Sequence, residues 1–249
     1  MTGMNLVLDL GNTYGKIAVC EGTRVVESAV YEKITSREVS YFQKRYQEIR
    51  GVIISSVVND SREMIDYLGS MFAACIELDH NTPIPLVNRY RTPETLGYDR
   101  IAAAVVAYTI FPGRSVLVID AGTAITCDVV TRGGEYLGGS ISPGLDMRFK
   151  SLHRFTNRLP LLERPNEIPA GIGRTTGEAI EAGVVNGIRY ELDGLIRATD
   201  ASYPQLQVVL TGGDAKYFAG KLKSSIFVDQ NLNLIGLNRI LEHNAPEEI

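Results

Sequence analysis

The chain has 249 residues, 45% of them hydrophobic and 22% charged, a balance that fits one large folded domain or two smaller ones and excludes a disordered or collagen-like chain. Its net charge of −4 gives no general attraction for nucleic acid or acidic membranes. Cys20, Cys75 and Cys127 form no C-x-x-C pair, and no His stands at a metal-ligand interval from them, so neither a disulfide scaffold nor a structural zinc site is expected. The longest apolar run, Ile101 to Phe111, has 11 residues, well short of the ~20 that cross a bilayer. The first five residues carry no basic segment of the kind that opens a secretory signal. The expectation is a cytoplasmic protein without a membrane or nucleic-acid partner.

In chain order, Asn5 to Cys20 reads as strand, tight turn and strand, with the turn at Asp9-Leu10-Gly11-Asn12-Thr13. GVIISSVV from Gly51 predicts a buried strand, and Asp60-Ser61 a cap for a helix running to about Phe72. The proline-rich stretch Thr82 to Pro93 predicts extended chain or loop, and Glu94 to Ile110 a helix. Ser115 to Val130 then repeats the opening pattern around Asp120-Ala121-Gly122-Thr123, with Asp120 lying 111 residues after Asp9. A Gly-rich segment from Gly133 to Gly144 and a polar loop to about Arg174 follow. Thr176 to Ala198 predicts a long helix, the apolar residues after Gln207 a strand, and Asp214 onwards a further helix. A unit copied at nearly half the chain length implies two similar α/β lobes, residues 1–113 and 114–249, with related sites facing each other across a central cleft.

Each D-x-G turn places a strand-ending carboxylate beside free backbone N–H groups and a hydroxyl, the parts of a phosphate-and-cation site. Gly11 lets the backbone approach an anion, Asn12, Thr13 and Thr123 can donate to phosphate oxygens, and Lys16 can neutralise charge across the hairpin. Taken singly, either turn is equally an ordinary hairpin turn. Occurring twice at half-chain spacing, the pair points to chemistry. Thr211-Gly212-Gly213-Asp214 is a third bare-backbone turn, with Asp214 placed to cap the helix after it, and Gly138 to Gly144 is a fourth, a backbone wall beside a ligand or simply a loop. Gly97-Tyr98-Asp99-Arg100 opens a predicted helix. Adjacent residues point about 100° apart there, so Asp99 and Arg100 are not a simple i,i+4 ion pair. A proton acceptor beside an anion-binding guanidinium suits phosphoryl transfer; a helix-start Asp and a solvated Arg would look the same in sequence. No G-x-x-x-x-G-K-[ST] is present, which excludes a P-loop enzyme, and Gly171 to Gly177 has the wrong spacing and setting for dinucleotide binding.

With these residues in place, the sequence resembles the type III pantothenate kinase family, of the acetate and sugar kinase, heat-shock-70 and actin superfamily. Five motifs occur in family order along nearly the whole chain: D-x-G-N-T at Asp9, G-x-D-R at Gly97, D-x-G-T-A at Asp120, G-G-x-I-x-P-G at Gly138 and T-G-G at Thr211. The resemblance implies two duplicated ribonuclease H-like, actin-like ATPase lobes and ATP-dependent phosphorylation of pantothenate, the first step of coenzyme A synthesis. It implies Asp99 as the catalytic proton acceptor. ATP would meet Asp9, Leu10, Gly11, Asn12, Thr13, Tyr14, Gly15, Lys16, Thr123, Gly212 and Gly213, and pantothenate would meet Tyr90, Gly97, Tyr98, Asp99, Arg100 and Thr176. Asp120 would bind a monovalent cation, K+ or NH4+, and Mg2+ would sit with the ATP phosphates near Asp9 and Asp120. The family forms a homodimer, and Thr176 is the residue expected to reach into the partner's pocket. Tyr98 departs from the small residue frequent at its position. The competing expectation is a nucleotide-binding regulatory homologue without turnover; such a chain should have lost one of Asp9, Asp99, Arg100 and Asp120, and all four are present.

Overall fold

The structure is a computed structural model, and it describes residues 3–11, 14–56 and 62–245. The chain divides into two compact units, Met1–Ile110 with Asn231–Ile249, and Phe111–Gln230.

In the first unit the opening hairpin forms as expected, β1 (Met4–Leu10) antiparallel to β2 (Gly15–Glu21). Two elements that the sequence reading passed over follow, β3 (Arg24–Tyr31) and α1 (Ser36–Arg45). The start of α1 is fixed by a capping box, Thr35 with Glu38, in which each side chain satisfies a backbone N–H at the other's end. The buried run after Gly51 is β4 (Ile49–Ser56), and α2 (Arg62–Met71) and β5 (Ala74–Glu77) come next. The expected Asp60-Ser61 cap lies outside the described residues. The strand order is β3-β2-β1-β4-β5, with β1, β4 and β5 parallel. One sheet face is filled by Leu6, Leu8, Ile17, Val19, Val39, Phe42, Val52, Ile54 and Leu68, all fully buried, from the strands, α1 and α2.

The proline-rich stretch holds only a two-residue strand, β6 (Val87–Asn88). The helix expected from Glu94 begins later: Pro93–Thr95 is a single 3-10 turn, Leu96 is extended, and α3 runs Tyr98–Ile110. Gly97 supplies the carbonyl that accepts from Ile101 N at 3.3 Å, so the helix starts where that glycine turns the chain. The terminal helix α8 (Leu232–Asn244) packs on α3. The segment from Asn231, assigned by the sequence reading to the second lobe, therefore belongs to the first unit.

In the second unit the repeated pattern gives β7 (Val116–Ala121) and β8 (Ala124–Val130). The Gly-rich stretch is not a loop but the strand β9 (Glu135–Pro143). Its glycines permit the pairing, since a Cβ at Gly139 would lie 1.6 Å from the Cys127 carbonyl oxygen. The polar stretch after it begins with α4 (Leu145–Arg154). The long helix forms as α5 (Thr176–Glu181) and α6 (Gly187–Ser202), joined through a π-helical turn at Ala182–Asn186. The strand after Gln207 is β10 (Gln207–Thr211). The helix from Asp214 is only one turn, α7 (Ala215–Phe218), and β11 (Phe227–Val228) follows. The strands run β9-β8-β7-β10-β11, antiparallel through the first three and parallel through the last three. That is the order and the direction pattern of β3-β2-β1-β4-β5. The repeat read in the sequence is a repeat of topology.

Candidate active site

The two aspartates occupy equivalent places. Asp9 is the penultimate residue of β1, facing Lys16 on β2 and Ser55 on the parallel strand β4. Asp120 is the penultimate residue of β7, facing Thr126 on β8 and Thr211 on the parallel strand β10. In both hairpins the glycine two residues on closes the turn, with Gly11 N donating to Tyr14 O and Gly122 N to Ala124 O, each at 3.1 Å. Of the residues expected to meet ATP, Asn12 and Thr13 lie outside the described residues. Gly11, Tyr14, Lys16 and Thr123 are exposed at the turns, Gly15 is buried, and Leu10 is partly buried beneath them.

Burial raises the Asp9 carboxyl above the ordinary carboxylate range, an effect reinforced by Asp99 and opposed by Lys16 and by a hydrogen bond from Ser55. Between its unfolded and folded values such an acid takes up a proton on folding. The stability it contributes is full below its unfolded value of about 3.9 and is lost as pH rises through the folded value. Replacing Asp9 by Asn is therefore expected to raise the melting temperature at pH 7, with the gap closing as pH falls toward 4. Thermal scans across pH check this; an Asp9→Asn protein that melts below wild type at pH 7 would refute the desolvation argument.

Asp99 stands exposed in the first turn of α3, its Oδ1 accepting from Arg100 N at 2.8 Å. A Cβ at Gly97 would fall 2.5 Å from that oxygen, so the glycine makes room for the carboxylate. Arg100 is buried, 7% exposed, and its guanidinium lies 5.5 Å from the centroid of the Tyr90 ring. Tyr90 is itself placed by its N–H donating to Asn88 Oδ1 at 2.9 Å. The structure thus brings Tyr90 beside the G-x-D-R segment and shows Arg100 as a buried side chain over that ring instead of a solvated one. Tyr98 lines a small cavity with Leu78, Asp79, Ile84, Pro93 and Ile101. Burial raises its phenol, helped by Asp79 and Glu77.

In the second unit the Thr211–Asp214 turn packs onto the end of β7. Gly212 has φ +95°, and a Cβ there would meet Asp120 Oδ1 at 2.4 Å and the Ala121 carbonyl oxygen at 2.5 Å. Asp214 N donates to Ala121 O at 2.9 Å. The Asp214 side chain makes no cap to α7; its Oδ1 instead accepts from Arg164 Nη1 at 2.8 Å. That arginine belongs to the polar stretch that the sequence reads as a loop to about Arg174. It is tied down within its own unit: Arg164 lies 5.0 Å over the Tyr217 ring, Tyr217 donates to Glu167 O at 3.3 Å, and Asn186 donates to Pro169 O at 3.2 Å. Thr176 opens α5, capped by Thr175, and lines a groove of about 670 Å3 with Arg148, Leu152, Leu159 and Ile180.

Sequence reasoning missed Ser55, Ser142, Arg148 and Glu191. Ser55 was signalled by its place near the end of a buried strand. Ser142 and Glu191, 49 residues apart, carried no joint signal. Among the described residues no group of three or more His, Cys, Asp or Glu could hold a metal ion by itself.

A family profile described as type III pantothenate kinase matches residues 5–198. A curated type III pantothenate kinase of Bacteroides fragilis is 47% identical over 97% of this chain and 98% of its own. Among solved structures, a Campylobacter jejuni protein described as a Baf family transcriptional activator has TM-score 0.63 at 23% identity over 96% of this chain and 98% of that one. A glucokinase from an Antarctic psychrotroph has TM-score 0.53 at 10% identity over 97% and 99%. At these identities the two solved structures speak to the fold alone, the two-lobed ribonuclease H-like architecture.

Proposed function

Because the chain belongs to the type III pantothenate kinase family, we propose that Asp99 accepts the proton of the pantothenate hydroxyl while Arg100 and Tyr90 hold the substrate. The enzyme phosphorylates pantothenate with ATP, the entry step of coenzyme A synthesis. The observation that carries the assignment of roles is the grouping within the first unit of Asp99, the stacked Tyr90–Arg100 pair and Asp9, whose carboxyl senses the charge of Asp99.

In a loose phosphoryl-transfer transition state, catalysis is positioning and charge stabilisation, so a weak carboxylate base suffices to take the proton late. Arg100, buried and stacked, gives a fixed charge for the pantothenate carboxylate. Gly97 and Tyr98 border the acceptor, and Thr176 completes the pocket from a second copy of the chain. In the first unit Lys16 and the backbone of Leu10, Gly11, Tyr14 and Gly15 are the phosphate contacts of this reading; in the second unit Thr123 is a phosphate contact, and Gly212 and Gly213 offer bare backbone to the nucleoside. A divalent metal accompanies ATP and neutralises charge developing on the phosphates. Mg2+ is usually carried by one or two carboxylates plus phosphate and water, and Asp9, whose charge is costly to bury, suits that part. Asp120, its Oδ1 beside the bare faces of Gly122 and Gly212, suits a monovalent cation, K+ or NH4+. No described helix is long and apolar enough to cross a membrane. The enzyme works in the cytoplasm as a homodimer, a reading supported by the outward Ile141 and Tyr190, 63% and 64% exposed in the second unit.

The test is phosphate transfer from ATP to pantothenate with potassium, with ammonium and with neither. Turnover is expected only with one of the two cations, and Asp120→Asn is expected to lose it in both. ATP binding without transfer under every condition would instead favour the regulatory homologue.

A further inference from the structure

Three side chains from three elements of the second unit meet behind the Asp120–Thr123 turn. Ser142 on β9 donates from Oγ to Glu191 Oε1 on α6 at 2.5 Å. Arg148 on α4 donates from Nη2 to Glu191 Oε2 at 2.5 Å and from Nε to the Pro143 carbonyl at 2.8 Å. Both oxygens of the carboxylate are used, and the guanidinium bridges it to the backbone. The Arg148 and Glu191 side chains are 21% and 27% exposed, so the network is partly open to solvent.

What the network holds is the Pro143–Gly144 peptide, and that peptide abuts the phosphate turn. Gly144 N donates to Thr123 O at 3.0 Å. A Cβ at Gly144 would lie 2.2 Å from the Gly122 carbonyl oxygen and 2.4 Å from that of Thr123, so the two backbones are in direct contact with no side chain between. The path from Glu191 to Thr123 is unbroken: carboxylate, guanidinium, Pro143 carbonyl, Gly144, Thr123.

We propose that Arg148 and Glu191 are positioning residues for nucleotide binding and phosphate transfer, holding Gly122–Thr123 at its working position through the Pro143–Gly144 peptide. This rests on the reading of Thr123 as an ATP contact. An ion pair that is partly exposed adds little to stability. Charge-assisted bonds that use both carboxylate oxygens and a planar guanidinium fix geometry well. Misplacing a phosphate contact by about 1 Å can cost on the order of 100-fold in rate.

The experiment compares wild type, Arg148→Met, Arg148→Lys and Glu191→Gln in the full-length protein. It reads kcat, the KM for ATP, the KM for pantothenate, the calorimetric Kd for ATP, and the melting temperature. Arg148→Met and Glu191→Gln are expected to lower kcat/KM for ATP about 10-fold or more and to weaken ATP binding, with the pantothenate KM of Glu191→Gln within about twofold of wild type. Arg148→Lys is expected to recover only part, because an ammonium reaches Glu191 but does not hold the Pro143 carbonyl in the same plane. Unchanged ATP parameters in Arg148→Met and Glu191→Gln would overturn the proposal, as would a uniform loss of both KM values and of melting temperature, the mark of a structural role only. If wild type binds ATP without phosphorylating pantothenate, the kinase reading fails, and the ATP Kd of the same variants still decides whether the network positions the turn.

Discussion

Asp99→Asn is expected to lower kcat for phosphate transfer by about 100-fold or more, the usual worth of a positioned general base, while ATP binding stays within a few-fold of wild type. The amide has nearly the shape of the carboxylate, and its oxygen can still accept from Arg100 N, as Asp99 Oδ1 does at 2.8 Å. The start of α3 and the space left by Gly97 are therefore kept, and what is removed is the ability to accept the hydroxyl proton. Asp99→Glu separates charge from place: the carboxylate survives, but the Oδ1 site beside Gly97 is too close for a longer chain to occupy unchanged. It is expected to retain more activity than the amide and less than wild type. Steady-state kinetics and calorimetric ATP binding check both. An Asp99→Asn enzyme within threefold of wild type in kcat would remove Asp99 from the mechanism.

The sequence made the repeat legible because a D-x-G turn between two apolar runs has few other uses at half-chain spacing. The structure gives that repeat its physical content in two sheets of one strand order. The boundaries that slipped did so where a local rule met a tertiary one. Glu94 to Ile110 has helical composition throughout, yet Pro93–Thr95 forms only a 3-10 turn and the helix waits for Gly97. Gly133 to Gly144 reads as loop because glycine is poor in strands. Its glycines are demanded by a close approach, at Gly139 to Cys127 and at Gly144 to the Gly122–Thr123 turn, that only the folded sheet creates. The Asp99–Arg100 pair was visible as types and spacing, whereas the stacking of Arg100 on Tyr90 depends on how the proline-rich segment returns to α3. The Ser142–Arg148–Glu191 network was not visible at all, since nothing local marks residues that meet only when α6 packs beside β9. The terminal helix was missed although its apolar residues, Leu232, Ile235 and Ile240 among them, carry a helical period.

That missed helix carries the largest expected effect on stability, at Gly236. Two terms oppose each other when it becomes alanine. Helix propensity favours alanine by about 1 kcal/mol. Against this, a Cβ at Gly236 would lie 1.9 Å from the Ala102 carbonyl oxygen and 2.4 Å from its carbon. Those are backbone atoms of α3, so no side-chain rotation relieves the clash and one helix must move. α8 has little freedom to do so. Asn238 Oδ1 accepts from buried Asn5 Nδ2 at 2.8 Å, and Asn238 Nδ2 donates to the Gly22 carbonyl at 2.8 Å. Displacement therefore breaks buried hydrogen bonds on the β1 side or opens the packing of Ala102, Ala103 and Val106 on the α3 side. Overpacking of this kind costs about 1–3 kcal/mol, or more where backbone is struck, so the clash outweighs propensity. Gly236→Ala is expected to lose about 2 kcal/mol net, which at this chain length is a fall of about 4–8 °C in melting temperature. Gly194, inside α6 with nothing within 4 Å of its built Cβ, isolates the propensity term, and Gly194→Ala is expected to raise the melting temperature slightly. Because α3 carries Asp99 and Arg100 on its first turn, Gly236→Ala should also lower kcat below the temperature where it unfolds, and Gly194→Ala should not. Calorimetric melting of both variants decides the matter: a Gly236→Ala protein that melts above wild type would mean that α8 and α3 are not in backbone contact.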